Sequence, residues 1–195
     1  MLAAAILAAG ASRRMGSPKA LLSYRGRPFL EHLLEVLRHP RVGCVRVVLG
    51  ADAEETQKAV QLSPETVVLN DQWQKGQLSS IQAAIRSLPV GETEGLLLCL
   101  VDQPLITAGL VGELVRQFDA SGKLIALPTY RGQRGHPVIF SSRLYDELLA
   151  APHDTGARAV VWAHPQDVLE VPTSEEGVVL NLNDPEALRR ALEDS

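Results

Sequence analysis

From Leu7 to Leu22 the chain reads LAAGASRRMGSPKALL, which puts two glycines, two arginines and a lysine just past an apolar run. Gly10 and Gly16 allow the backbone to approach a ligand closely and to turn its N–H groups inward. Arg13, Arg14 and Lys19 add positive charge within a few residues. That combination suits a polyphosphate. Two familiar phosphate loops do not fit. A Walker A loop carries lysine directly after its glycine and then Ser or Thr; here Lys19 stands three residues after Gly16 and Ala20 follows. A dinucleotide fingerprint needs GxGxxG, but Gly10 is followed by Ala11, Ser12 and Arg13.

A second stretch, LLLCLVDQPLIT from Leu96 to Thr107, ends an apolar run on a carboxylate, Asp102. Aspartates at strand ends often serve as caps or turn residues. Beside a phosphate-type loop a different use opens, because a nucleotide polyphosphate takes Mg²⁺ held by one or two carboxylates. The two stretches can meet only if both leave the same edge of a sheet. In open α/β sheets that edge, beyond the carboxyl ends of the strands, is where ligands bind.

The rest of the chain supplies such a sheet. Leu2 to Ala8, Val45 to Gly50, Thr66 to Leu69, Leu96 to Val101 and Leu124 to Leu127 are nearly unbroken apolar runs, as expected of parallel strands covered on both faces. Between them Pro28 to Leu37 opens with proline at a first helical position. Asp52 and Thr107 are placed to cap the stretches running to Gln61 and Phe118. Ser79 to Leu88 spaces Ile81, Ala84, Ile85 and Leu88 as one helical face. Strand–helix alternation predicts an α/β/α three-layer fold with right-handed crossovers. After Pro128 the segment TYRGQRGHPVIF departs from the alternation and ends in a short strand. Helices are then expected over Ser141 to Ala150 and Thr155 to Trp162, late strands over Val168 to Val171 and Val178 to Leu180, and a closing helix over Pro185 to Leu192. No repeat or linker divides the chain, so residues 1–195 are expected to form one domain.

Composition narrows the partners. Hydrophobic residues make up 46% and charged residues 22%, and the net charge of −4 with a pI near 5.7 argues against a nucleic-acid backbone binder. Cys44 and Cys99 sit in apolar runs without CxxC spacing and read as core thiols. No basic segment precedes the apolar N-terminus, and no run approaches a membrane span. A cytoplasmic location is expected.

The motif order LAAGxSxRMGxxKxLLxxxGxPxL, NxxWxxGxxxS, DQP, GHPVxF, GAR and NxN-x-PE, running from Leu7 to about Leu188, resembles that of the molybdenum cofactor nucleotidyltransferases, the MobA/MocA-like group. The resemblance implies the nucleotide-diphospho-sugar transferase type of Rossmann-like fold and a divalent metal, Mg²⁺ or Mn²⁺. It implies that Leu7, Ala8, Ala9 and Gly10 contact the base. Gly10, Ser12, Arg14 and Lys19 would hold the nucleoside triphosphate, with Arg14 and Lys19 on its phosphates. Asp102 would ligate the metal, with Asn183 as the best match for a second ligand and Asn181 or Asp184 as alternatives. The chain departs from the family pattern here, with Asp184 before the proline and Ala187 where an acidic residue is usual. Gly76 and Ser80 would lie near nucleotide or acceptor, and His136 and Arg158 would face the acceptor. Trp73 reads as a packing residue. His32, His39, His153 and His164, which lack metal-ligand spacing, read as surface residues.

LAAG with lysine at position 19 is similar to the cytidylyl branch, whereas the guanylyl branch carries LAGG and Asp-Lys-Gly. The resemblance therefore implies transfer of CMP from CTP to molybdopterin with release of pyrophosphate, and transient contact with a molybdoenzyme or its chaperone. Transfer to a sugar or alcohol phosphate is the alternative enzyme. A non-catalytic protein that carries the molybdenum cofactor is the alternative outside enzymes. No membrane or nucleic-acid partner is expected.

Overall fold

The structure, a computed structural model, describes residues 1–12, 16–89, 91–183 and 186–189. In chain order the strands are β1 (Leu2–Ala8), β2 (Ser23–Tyr24), β3 (Arg27–Pro28), β4 (Val42–Leu49), β5 (Val67–Leu69), β6 (Gly95–Leu100), β7 (Ile125–Tyr130), β8 (Gln133–Arg134), β9 (Val138–Ser141) and β10 (Val168–Pro172). The α-helices are α1 (Phe29–Val36), α2 (Ala53–Val60), α3 (Gln77–Arg86), α4 (Ala108–Ser121), α5 (Tyr145–Ala150) and α6 (Arg158–Ala163).

β1 lies inside the main sheet, parallel to β4 on one side and β6 on the other, in the order β10-β7-β9-β6-β1-β4-β5 with β8 paired to β7. Its sequence LAAAILA is apolar throughout because both faces are covered. Alternation along the strand divides it between two cores. Leu2, Ala4 and Ile6 pack in the cluster with Phe29, Leu30 and Leu33 of α1 and Leu110 and Leu114 of α4. Ala3, Ala5 and Leu7 pack in the opposite cluster with Ile81 and Ile85 of α3 and Leu148 of α5. The expected three-layer α/β architecture with a mostly parallel sheet is the one found.

β9 breaks the parallel order, running antiparallel to both β6 and β7, and the short β8 is antiparallel to β7 as well. This is the excursion signalled by TYRGQRGHPVIF: β7 turns back through β8 and returns as β9 between β6 and β7. Three local expectations need correction. Val178 to Leu180 is not a strand; Glu176–Val178 is a 3-10 turn. Gly177 backs onto Leu105, and Val178 gives its carbonyl to the single N–H of His136, at 2.8 Å, without continuing a ladder. The helix expected over Ser141 to Ala150 is shorter, because Ser141 still pairs with Gly95 and Ser142–Leu144 forms a 3-10 turn first. The next helix begins at Arg158, not Thr155. Of the closing helix, residues 186–189 are helical, and its remainder lies outside the described residues.

Thr107 caps α4 as expected, its hydroxyl accepting from the Leu110 N–H at 3.1 Å. It also donates to Glu175 Oε1 at 2.8 Å. Asp52 occupies the equivalent place before α2 but makes no side-chain cap.

Candidate active site

Because β1 pairs in register with both neighbours, Ala8 beside Leu49 and Leu7 beside Leu100, the three strands end together. The loop after β1 and the turn after β6 therefore leave the same edge. Lys19 closes the first loop by donating its backbone N–H to Ser12 Oγ at 2.8 Å. Its ammonium reaches Asp102 Oδ2 at 3.0 Å and also bonds Asn183 Oδ1. Asn183 is delivered there by two ties to the turn after β6. The Leu182 N–H donates to the Asp102 carbonyl at 2.7 Å, and Gln103 Nε2 donates to Asn181 Oδ1 at 3.0 Å. Gln103 is buried, and its own Oε1 has no protein partner among the described residues.

Above this cluster opens a cavity of about 340 Å³ whose walls include Leu7, Ala8, Ala9, Gly10, Ser12, Lys19, Gly76, Ser80 and Asp102. Its far wall is a second hydrogen-bonded unit. Asn70, buried at the end of β5, donates from Nδ2 to Ser79 Oγ at 2.9 Å and to Ser80 Oγ at 3.0 Å, and its Oδ1 accepts from the Gln72 N–H at 3.0 Å. Gly76 enters α3 with φ +94°, a left-handed conformation that favours glycine. At Gly50 an added Cβ would sit 2.4 Å from the Ala9 carbonyl oxygen and 2.8 Å from Trp73, so only glycine lets these walls close on each other. Trp73 thus packs, as expected, and lines the cavity as well.

A second cavity, of about 490 Å³, lies alongside and shares Gln77 with the first. Its floor is apolar, with Ile81, Leu98, Leu127, Val138 and Phe140, and its rim carries Arg134, His153, Arg158 and the exposed Trp162. His136 lines this cavity and not the first. Burial pushes its imidazole down to about 4 against the opposing pull of the Asp102 charge, so the ring is neutral at physiological pH. The Gly135 backbone lies against Val178, where a Cβ would meet the carbonyl oxygen at 2.2 Å.

The structure brings together nine expected residues around the first cavity, places His136 and Arg158 at the second, and sets Asn183 beside Asp102. Arg14 and Asp184 lie outside the described residues. Asn181 is taken up by Gln103. Of the other histidines, His32 is half-buried against Tyr24 and its pKa is lowered by burial and by Arg25, while His164 bonds Glu147. His153 is exposed, as its lack of metal-ligand spacing suggested, and lies on the rim of the second cavity. Sequence reading missed Asp52 as a cavity wall, taking it for a cap, and missed Gln77 between the cavities. For Asp52 the unspent carboxylate beside Gly50 was the available signal. For Gln77 there was none.

Residues 4–168 match the profile of the MobA-like NTP transferase domain. The chain is 31% identical over 195 aligned residues to the nicotine blue oxidoreductase of Paenarthrobacter nicotinovorans, covering 96% of this chain and 94% of that one. It is 32% identical to the molybdenum cofactor guanylyltransferase of Rhizobium meliloti (strain 1021), covering 96% of this chain and 89% of the other. Among solved structures, Rv0371C of Mycobacterium tuberculosis H37Rv in complex with manganese superposes with a TM-score of 0.74 at 26% identity, over 100% of this chain and 99% of that one. No helix among the described residues is long and apolar enough to cross a membrane. With a phosphate-type loop after β1, a carboxylate after β6 and a profile match over most of its length, the chain belongs to the MobA-like NTP transferase family.

Proposed function

We propose that this protein transfers CMP from CTP to a phosphorylated acceptor of the molybdopterin type, with Mg²⁺ or Mn²⁺. One observation carries the reading: the Lys19 ammonium, the Asp102 carboxylate and the Asn183 amide oxygen converge beside the Gly10 to Ser12 loop, at the mouth of a cavity sized for a small ligand.

Asp102 Oδ2 and Asn183 Oδ1 already meet on one cationic atom. Two hard oxygens plus phosphate oxygens suit a magnesium-like ion. Among the described residues no group of three His, Cys, Asp or Glu side chains could hold a metal unaided, which fits an ion shared with the nucleotide. The manganese-bound mycobacterial structure supports the same choice. When bound, such an ion neutralises charge on the phosphates.

The chain's own groups do the rest by position and charge. The acceptor phosphate is ionised near pH 7 and needs no general base. Its oxygen bonds to the α-phosphorus as the bond to the β-phosphate oxygen breaks, and pyrophosphate carries away the negative charge. Lys19, together with Arg14 as the resemblance has it, faces that growing charge. Ser12, held against the Lys19 backbone, fixes the loop that presents N–H groups to the phosphates. The second cavity holds the acceptor. Its neutral His136 offers a hydrogen bond without a charge, Arg158 supplies charge at the rim where Arg134 is paired with Glu170, and Gln77 stands between acceptor and nucleotide.

Ala9 underlies the preference for CTP. It is buried, and its methyl limits how closely a base approaches the backbone; one methyl is worth about 1–3 kcal/mol of discrimination. The test is a panel of nucleoside triphosphates against molybdopterin and sugar phosphates, read by pyrophosphate release. Release with CTP and molybdopterin is expected. Release with a sugar phosphate alone would move the acceptor, and binding without release would leave a cofactor carrier.

The near full-length similarity to nicotine blue oxidoreductase favours one other reading, a redox enzyme that holds an electron carrier in the first cavity and an aromatic substrate in the apolar second one. Loss of nicotine blue absorbance with an electron donor supplied, in the absence of any nucleoside triphosphate, would select it.

A further inference from the structure

We infer that Asn70 is a positioning residue that turns the Ser80 hydroxyl into an obligate hydrogen-bond donor to the nucleoside part of the bound nucleotide; this rests on the first cavity being the nucleotide site.

The argument is one of proton direction. Asn70 is 5% exposed. Its Oδ1 accepts from the Gln72 backbone N–H, which can only donate, so the carboxamide is locked with Nδ2 toward α3. Both Nδ2 protons are then committed, one to Ser79 Oγ and one to Ser80 Oγ. Each serine oxygen has received a hydrogen bond and must place its own proton elsewhere. Ser79 places its proton on the Gly76 carbonyl at 2.8 Å. Ser80 has no such acceptor among the described residues, is 4% exposed, and lines the cavity. Its O–H is therefore left to point into the cavity, where a bound ligand displaces water to receive it.

The same geometry indicates which part of the ligand. Lys19, Asp102, Asn183 and Ser12 are bonded to one another at one end of the site. Asn70, Ser79 and Ser80 form a separate unit with Trp73, whose backbone N–H donates to the Asn70 backbone carbonyl and whose side chain lies against Gly50. The charged end suits phosphates, and the neutral end suits a base or sugar. A base carbonyl, an unprotonated ring nitrogen or a sugar oxygen can accept from Ser80, whereas an N–H edge is turned away.

The test is equilibrium binding of CTP and of inorganic pyrophosphate, each with Mg²⁺, to the full chain and its variants. Ser80→Ala is expected to weaken CTP about tenfold, the worth of one hydrogen bond to a buried site, and to leave pyrophosphate unchanged. Ser79→Ala, whose proton is already spent on Gly76, is expected to weaken CTP far less. Asn70→Asp keeps the shape but accepts hydrogen bonds where the amide donated them, drawing the Ser80 proton inward. It should reproduce the Ser80→Ala loss and add little to it in the double variant. Equal losses from Ser79→Ala and Ser80→Ala would overturn the inference, as would equal weakening of pyrophosphate or full additivity of Asn70→Asp with Ser80→Ala. If Asn70→Asp does not fold, the two serine variants decide alone. Failure of the unmodified protein to bind any nucleotide would remove the site reading and this inference together.

Discussion

Removing the Asp102 carboxylate takes away both the anion that holds Lys19 and one of the two oxygens offered to a divalent ion. Asp102→Asn keeps the shape and deletes the charge, so pyrophosphate release should fall on the order of 10²-fold or more. Its melting temperature should stay near that of the unmodified protein, because an ion pair at a cavity rim contributes only about 1 kcal/mol. Near-normal turnover would place the metal elsewhere. Ala9→Gly tests the opposite wall. It should raise use of GTP relative to CTP by roughly 10-fold or somewhat more, and equal use of GTP and CTP by the unmodified protein would sink the idea. Asp102 was legible as a candidate because it ends an apolar run that had to share an edge with the phosphate-type loop; alone it would have read as a cap or turn residue. Asn70 was not, because its role depends on where two serine hydroxyls nine and ten positions away point.

The buried strands were legible for a related reason: β1 and β6 are covered on both faces, so apolar character alone marks them. Val178 to Leu180 is equally apolar yet forms a turn that meets the chain at His136, and nothing local distinguishes an apolar turn from a short strand. The second cavity was equally hidden, since β7, β9 and the loop before α6 each contribute one wall. The elements also make separable predictions. Thr107→Ala removes the cap of α4 and strands the Glu175 carboxylate, which should cost about 1 kcal/mol. That is a fall of about 2–4 °C in melting temperature for a chain of this size, with pyrophosphate release little changed. Gly50→Ala is the converse. Its Cβ would meet the Ala9 carbonyl and Trp73, so it should lower stability by about 1–3 kcal/mol and weaken CTP binding too. Stability loss without binding loss would mean that this wall does not shape the nucleotide site.

For the molecule as a whole, ligand binding and folding are one equilibrium. A nucleotide held between loops from β1, β5 and β6 stabilises only the folded chain, by about 2.7 kcal/mol at a hundred times its dissociation constant. A calorimetric scan should therefore show CTP with Mg²⁺ raising the melting temperature by about 5–10 °C, with a smaller shift for GTP. A larger shift with GTP would reverse the base preference. The three-layer architecture as a whole could be read from the alternation of apolar runs, but the meeting of its distant parts could not. Lys19 and Asn183 are 164 positions apart and bond to each other, and Leu182 is tied to the carbonyl of Asp102. That meeting sets a clock on synthesis. A ribosome lays down the phosphate-type loop first and Asn183 only 164 positions after Lys19, so a growing chain carries the loop long before it carries the residue that completes the cluster. A polypeptide stalled at residue 150 would hold β1, β6 and Asp102 but not Asn183, and should release no pyrophosphate. Activity should therefore appear in one step once Asn183 has been added and folded in, and chains terminated before it should be silent instead of partly active.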